Sequence, residues 1–246
     1  QLLDATGGQC QVRLATKSIR CPQLLRIFLD SLAERASGLM CYHPNEIPFL
    51  HHAGFENILL AYPNYAGGLA STLAAHQEKI AGGSKKQFLM VDLPEHVEML
   101  GEAAKLHNTQ LDIILDIDVS TPLLGIHFGV HRSSIITSEQ LIRMIAEVAN
   151  HPHLNLSGLM SYEAQIAGIA DRDPRENFLI AAFQRLLKKI SKNKIHDYRA
   201  QLHERLQNEL PLEDPHFILN GGGSGSVITS SRSPLVNEVT LGSGIL

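Results

Sequence analysis

Val12-Arg13-Leu14-Ala15-Thr16-Lys17-Ser18-Ile19-Arg20-Cys21-Pro22 passes from a short apolar strand pattern into the opening of a helix. Pro22 stands where a helix accepts proline, at its first position, and 22–36 carries apolar residues at helical spacing. The same alternation recurs along the chain. Strands are predicted near 12–16, 38–42, 57–62, 87–92, 111–118, 156–162, 216–220 and 237–241, and helices over 22–36, 45–53, 68–80, 94–107 and 138–149. Strands alternating with helices make a parallel sheet covered by helices, and eight of them close. The predicted fold class is therefore α/β, a (β/α)8 TIM-type barrel filling residues 1–246 as one domain.

With 246 residues, 44% of them hydrophobic, the chain can bury one substantial core and no second domain of useful size. The formal charge is only −4, with 21 basic residues scattered among 25 acidic ones. Such a surface argues against nucleic acid or an anionic membrane as partner and for a small-molecule ligand. Cys10, Cys21 and Cys41 form neither a metal spacing nor an even disulfide set, which favours a reducing compartment; a cytoplasmic protein is expected. No apolar run reaches the roughly 18 residues of a membrane span. Among 13 histidines only His51-His52 and His151-Pro152-His153 cluster, without zinc spacing, so no metal site is expected.

The stretch 174–210 is longer than an ordinary barrel helix and is either two helices or one extended arm. Asp173-Pro174-Arg175-Glu176 supplies its cap. Lys188, Lys189, Lys192, Lys194 and Arg199 are interleaved with Asp197, Glu204 and Glu209, which reads as a solvated helix face.

Barrels keep their working residues at the carboxyl ends of the strands. Polar groups predicted there are Lys17, Tyr42, Asp92, Asp116, Asp118, Arg132, Tyr162, Glu163 and Gln165. Lys17 is either a solvated turn residue or a desolvated amine able to form a Schiff base with a carbonyl. Asn220-Gly221-Gly222-Gly223-Ser224-Gly225-Ser226 follows the seventh strand, and Gly242-Ser243-Gly244 the eighth. That is a barrel's phosphate corner, where backbone amides cradle an anion; tight turns are the other reading. A lysine that traps an aldehyde, together with a phosphate cradle, is what pyridoxal 5′-phosphate requires. Asp116 and Asp118 face the same way and could form an acid/base or metal pair, but Arg132 turns the reading toward a charge-satisfied network at the mouth. His127 either packs on a cofactor ring or is structural. Ser18 and Ser243 lack a His-Asp pattern, so hydrolase chemistry has little support.

Four stretches carry a family resemblance: Arg13 with Leu14-Ala15-Thr16-Lys17-Ser18-Ile19-Arg20-Cys21; Gly125-Ile126-His127-Phe128-Gly129-Val130-His131-Arg132-Ser133; Gly158-Leu159-Met160-Ser161-Tyr162-Glu163-Ala164-Gln165-Ile166-Ala167-Gly168; and the 220–226 loop followed by Glu238-Val239-Thr240-Leu241-Gly242-Ser243-Gly244. With these the chain resembles the fold-type III pyridoxal phosphate enzymes that share the alanine racemase N-terminal barrel. Within them it is similar to the bacterial amino acid deaminase/aldolase branch, relatives of D-threonine aldolase and D-serine dehydratase.

The resemblance implies that Lys17 carries the cofactor as a Schiff base. Gly222, Gly223, Ser224, Gly225 and Ser226, with Gly242 and Ser243, would hold the phosphate, and Tyr162 and Gln165 would line the site. Thr240 falls where alanine racemases place an arginine against the pyridine nitrogen. A neutral group there stabilises a protonated ring less, leaving more of the catalysis to Lys17. The implied activity is that of a lyase, deaminase or aldolase, acting on D-β-hydroxy amino acids such as D-serine or D-threonine. The alternatives are a non-catalytic barrel for pyridoxal phosphate homeostasis and an amino acid racemase; racemisation needs a second base on the opposite face, for which no tyrosine is identifiable. Family members continue into a β-rich domain. The expectation is thus a barrel cut at both ends, whose full-length form alone would hold a divalent metal and could form a homodimer.

Overall fold

Eight parallel strands close into a barrel in the computed structural model, which describes residues 10–123, 126–128, 132–163 and 178–242. The first half alternates β1 (Gln11–Ala15), α1 (Pro22–Leu32), β2 (Ala36–Cys41), α2 (Glu46–His52), β3 (Asn57–Leu60), α3 (Leu69–Ile80), β4 (Lys86–Val91), α4 (Pro94–Leu106) and β5 (Leu111–Asp116). After β5 come β6 (Thr121–Leu123) and β7 (Ile126–Phe128), then α5 (Ser138–Ala149) and β8 (Leu154–Ser161). The chain continues through α6 (Phe178–Leu206), β9 (Ile218–Gly221), the short α7 (Val227–Ser230) and β10 (Glu238–Leu241). Around the barrel the order is β1-β10-β9-β8-β5-β4-β3-β2, so the first and last strands meet.

All eight predicted strands are present. The antiparallel pair β6 and β7 was not anticipated, because strands of three residues are too short to show a period. The 174–210 segment resolves in favour of one helix: α6 runs unbroken for 29 residues. Its expected cap at Asp173 to Glu176 lies outside the described residues.

Side chains that alternate along each strand divide between two cores. Leu39, Cys41, Ile58, Leu60, Leu89, Val91, Ile113 and Leu115 point outward to the helices. Met40, Leu59, Phe88, Met90, Ile114, Met160 and Ile218 fill the barrel. On β1, β9 and β10 buried polar side chains, Arg13, Asn220, Glu238 and Thr240, also occupy the interior. Arg13 grips Glu238 in a fork, Nε to Oε1 at 2.7 Å and Nη2 to Oε2 at 2.9 Å. Asn220 Nδ2 donates to Glu238 Oε1 at 2.6 Å and to Thr240 Oγ1 at 3.0 Å. Burial alone would raise the Glu238 pKa; the Arg13 charge and hydrogen bonds outweigh it and hold the carboxyl below its ordinary value.

A second polar contact joins α2 to α3. His51 Nδ1 lies 2.7 Å from His76 Nε2, while His51 Nε2 faces the carbonyls of Glu56 and Lys86 at 3.1 and 3.2 Å. Carbonyls only accept, so His51 carries its proton on Nε2 and receives one hydrogen bond from His76. Burial lowers the basicity of both rings, and His51 and nearby Lys79 and Lys85 add to this at His76, whose pKa falls to about 4. Unfolded histidine titrates near 6.5, so between these values the unfolded chain binds more protons and stability falls as pH drops. The thermal midpoint should therefore decline from about pH 6.5 to about pH 4. His76→Gln, which keeps an N–H donor but cannot titrate, should flatten that decline; an unchanged slope would remove this pair from the acid response.

Candidate functional site

At the carboxyl ends of the strands a cavity enclosing about 700 Å³, its open mouth included, is lined by residues from β1 through β10. Lys17 and Ser18 lie in the turn after β1, and Gly222, Gly223, Ser224 and Gly225 in the turn after β9. Tyr42, Tyr62, Arg132, Tyr162, Thr240 and Gly242 complete the polar and aromatic wall, over a floor that includes Met40 and Met160. Residues two hundred positions apart in sequence thus share one mouth, because β1 pairs with β10 and β10 with β9.

Lys17 is exposed, its Nζ 5.1 Å from the centre of the Tyr42 ring. Of the two readings the solvated turn residue describes its surroundings: the turn at 16–18 carries the lysine past the strand end to the rim, and the aromatic face supplies the contact. Burial raises the Tyr42 and Tyr162 pKa values, so both phenols remain donors at neutral pH.

Arg132 forms the network its sequence position suggested. Its Nε is 2.8 Å from Asp116 Oδ2 and its Nη2 donates to Ala61 O at 2.7 Å, while its backbone N–H donates to Asp118 Oδ2 at 3.2 Å. The guanidinium stands 4.8 Å from the Tyr62 ring centre and 5.6 Å from that of Tyr162. Burial pushes the Asp116 pKa up to about 7 despite the pull of Arg132. Asp92 caps a neighbouring loop instead, accepting from Ser134 N. Among the described residues no group of three His, Cys, Asp or Glu could hold a metal, and no helix is long and apolar enough to cross a membrane.

The glycine-rich turn has a front and a rear. At the rear, the Gly222 amide donates to Glu163 Oε2 at 3.0 Å, and the Gly223 amide to Ser226 Oγ at 3.0 Å. Ser226 therefore closes the turn from behind and does not line the cavity. The Gly242 amide donates to Ser224 Oγ at 3.1 Å, tying the two glycine-rich turns together. Among the described residues no group accepts from the Gly225 amide. Gln165 and Ser243, with the side chain of His127, lie outside the described residues.

Glu163 is itself buried, and so is Arg199 of α6, whose Nη2 lies 2.7 Å from Glu163 Oε2. For Arg199 this corrects the solvated-face reading, since it turns inward, while Lys194, Asp197, Glu204 and Glu209 are exposed as read. Arg199 Nε also donates to Ser161 Oγ at 3.0 Å, and Ser230 donates to Glu163 Oε1. A side chain on Gly221 would meet Arg199 Nη2 at 2.9 Å, and one on Gly222 would meet Ser230 at 3.0 Å. These glycines make room for the buried pair. Tyr62 is a further lining residue the sequence reading passed over; its signal was the Lys17 rule, a polar group ending an apolar strand.

A planar aldehyde bearing a phosphate fits this site. An amine stands on one wall, aromatic rings and an arginine flank the space, and a Cβ on Gly242 would crowd the floor 3.3 Å from Ser18 Oγ.

The profile of a family described as alanine racemase, N-terminal domain, matches residues 1–203. Among curated proteins, 3-hydroxy-D-aspartate aldolase of Paracoccus denitrificans (strain Pd 1222) is 27% identical over 155 residues, 62% of this chain and 33% of that protein. Among solved structures, D-threonine aldolase from Filomicrobium marinum matches with a TM-score of 0.76 at 22% identity, over 99% of this chain and 57% of that one. D-threo-3-hydroxyaspartate dehydratase from Delftia sp. HT23 matches with a TM-score of 0.70 at 16% identity, over 100% and 56%. The chain spans about a third of the curated relative and somewhat over half of each solved structure.

Gly222 has φ +79°, a backbone that a β-carbon opposes, and Ser230 already occupies the space the new atom would need. Gly222→Ala should therefore destabilise the chain by about 1–3 kcal/mol, read as a lower denaturant midpoint. A midpoint equal to that of the unaltered chain would show that the turn relaxes freely.

Proposed function

The chain belongs to the alanine racemase N-terminal domain family, a pyridoxal phosphate-dependent family, and from that membership we propose that its barrel binds pyridoxal 5′-phosphate and serves a lyase. The substrates would be D-β-hydroxy amino acids such as D-serine, D-threonine or 3-hydroxy-D-aspartate, deaminated or cleaved between Cα and Cβ. The observation that carries this reading is the convergence of Lys17 with the 222–225 turn and Gly242 around one cavity. The names of the matched relatives, two aldolases and a dehydratase of D-hydroxy amino acids, support the substrate class.

In this reading Lys17 would hold the cofactor by its aldehyde end, and Gly223, Ser224, Gly225 and Gly242 would hold its phosphate end. Arg132, pinned by Asp116 between two tyrosine rings, presents a fixed positive charge to an anionic oxygen of cofactor or substrate. Tyr42 and Tyr162 add protonated phenols. Thr240 presents a neutral hydroxyl whose orientation is set by its exchange with Asn220, with donor–acceptor distances of 3.0 and 3.1 Å. When bound, the cofactor supplies the electron sink for the bond broken at Cα. Lys17 Nζ, freed once the substrate amine has taken its place, would be the base for the Cα proton in deamination, whereas cleavage would remove the proton of the β-hydroxyl.

The experiment is reconstitution. The chain incubated with pyridoxal phosphate should gain a visible absorbance band, and borohydride reduction should fix the label on Lys17. Lys17→Ala should abolish both; a label on another lysine would overturn the assignment. Release of ammonia or aldehyde from the three amino acids, assayed with the loaded protein, then tests the lyase.

The front of the turn should behave unlike its rear. Gly225→Val places bulk where backbone must approach a dianion. It should weaken pyridoxal phosphate binding by about tenfold or more, roughly 1.4 kcal/mol, while moving the denaturant midpoint little. Equal losses of affinity and stability would make residue 225 a structural turn residue only.

A further inference from the structure

We propose that Glu163 is the positioning residue of the phosphate turn, holding the 222–226 backbone in its anion-receiving shape while itself being held by Arg199. The inference rests on the pyridoxal phosphate reading above and deepens it. Glu163 follows Tyr162 at the end of β8, and its carboxylate is directed away from the cavity, behind the turn. Oε2 accepts from the Gly222 amide at 3.0 Å and from Arg199 Nη2 at 2.7 Å, and Oε1 accepts from Ser230. Arg199 in turn is anchored on Ser161 through its Nε at 3.0 Å. The carboxylate therefore ties together the end of β8, the start of the turn after β9, the short α7 and the long α6.

Three features argue for positioning and not mere packing. First, a carboxylate accepting a backbone N–H fixes the orientation of that peptide plane, and the 221–222 peptide held in this way leads directly into Gly222 and Gly223, which line the cavity. Second, Gly222 sits at φ +79°, and a Cβ there would meet Ser230 at 3.0 Å, so the point where the carboxylate engages the turn accepts only glycine. Third, Ser226 N donates to Gly223 O at 2.8 Å and Ser226 Oγ receives the Gly223 amide, so the peptide fixed by Glu163 leads straight into a closed turn. Glu163 also saturates the Gly222 amide. An anion in the cavity is thereby left to the amides and hydroxyls on the front, and the buried negative charge is kept off it by Arg199.

A clamp of this kind acts only on the phosphate end. Its signature is the preference for pyridoxal 5′-phosphate over pyridoxal, which shares the aldehyde and ring but lacks the phosphate. Each compound is titrated into the purified chain, trapped on Lys17 with borohydride and quantified by mass. The variants are Glu163→Gln, the double variant Glu163→Gln with Arg199→Met, and Ser230→Ala. The double variant removes both charges, and Ser230→Ala strands none, so the test survives if the single Glu163→Gln variant fails to fold. The preference for the phosphate compound should fall about tenfold or more in each folded Glu163 variant and by a smaller factor in Ser230→Ala, with pyridoxal trapping retained in all. An undiminished preference in variants that still trap pyridoxal would overturn the proposal. Should the unaltered chain trap both compounds equally, the phosphate turn itself is misassigned and the clamp falls with it. That outcome is told apart by appearing before any substitution is made.

Discussion

Closure of the barrel between β1 and β10 sets everything else in place, and the Arg13–Glu238 fork, with Asn220 and Thr240, is the polar contact that spans it. Removing one member of a buried pair leaves the other uncompensated, at about 3–5 kcal/mol. The strands that carry this network also end in Lys17, in the 222–225 turn and in Gly242. Electrostatics inside the barrel and assembly of the mouth are therefore one event. The apolar half, from β2 to β5 and β8, needs no such specification, since Met40, Leu59, Met90 and Ile114 interdigitate without direction.

Much of this was legible in the sequence because barrel strands are short, apolar and separated by helices with their own period. The eight strands and the mouth residues at their ends followed from that alternation, and the family resemblance holds. What escaped was whatever depends on which way a single side chain turns. Arg199 sits among lysines and acids on a long helix, where composition indicates solvent, yet its guanidinium reaches Glu163. Position along the strand left Lys17 either solvated or desolvated, and one turn beyond the strand end puts its amine at the rim. A glycine run announces a turn; it does not say which glycines face a ligand and which face buried side chains.

That division separates two uses of the same residue type in adjacent positions. Gly221 is small because Arg199 stands behind it, Gly223 and Gly225 border the cavity, and Gly222 does both, lining the cavity with Ser230 at its back. The same loop thus meets demands of stability on one side and of recognition on the other. Arg132 shows the complementary case, in which a cation at the mouth is held by a buried acid, a backbone carbonyl and two rings, leaving its charge in place before any ligand arrives.

The seam also has a consequence for biosynthesis. Arg13 and its carboxylate partner are separated by 225 positions. At ribosomal speeds of about 5–20 residues per second, the arginine waits roughly 10–45 s for Glu238 to be made. Throughout that interval β1 has only β2 beside it, and its other edge is unpaired. Each earlier βα unit can form as it emerges, but the ring cannot close before β10 has been made. Nascent chains stalled before residue 238 would then be open sheets in which Arg13 lacks its carboxylate partner and one edge of β1 stands unpaired.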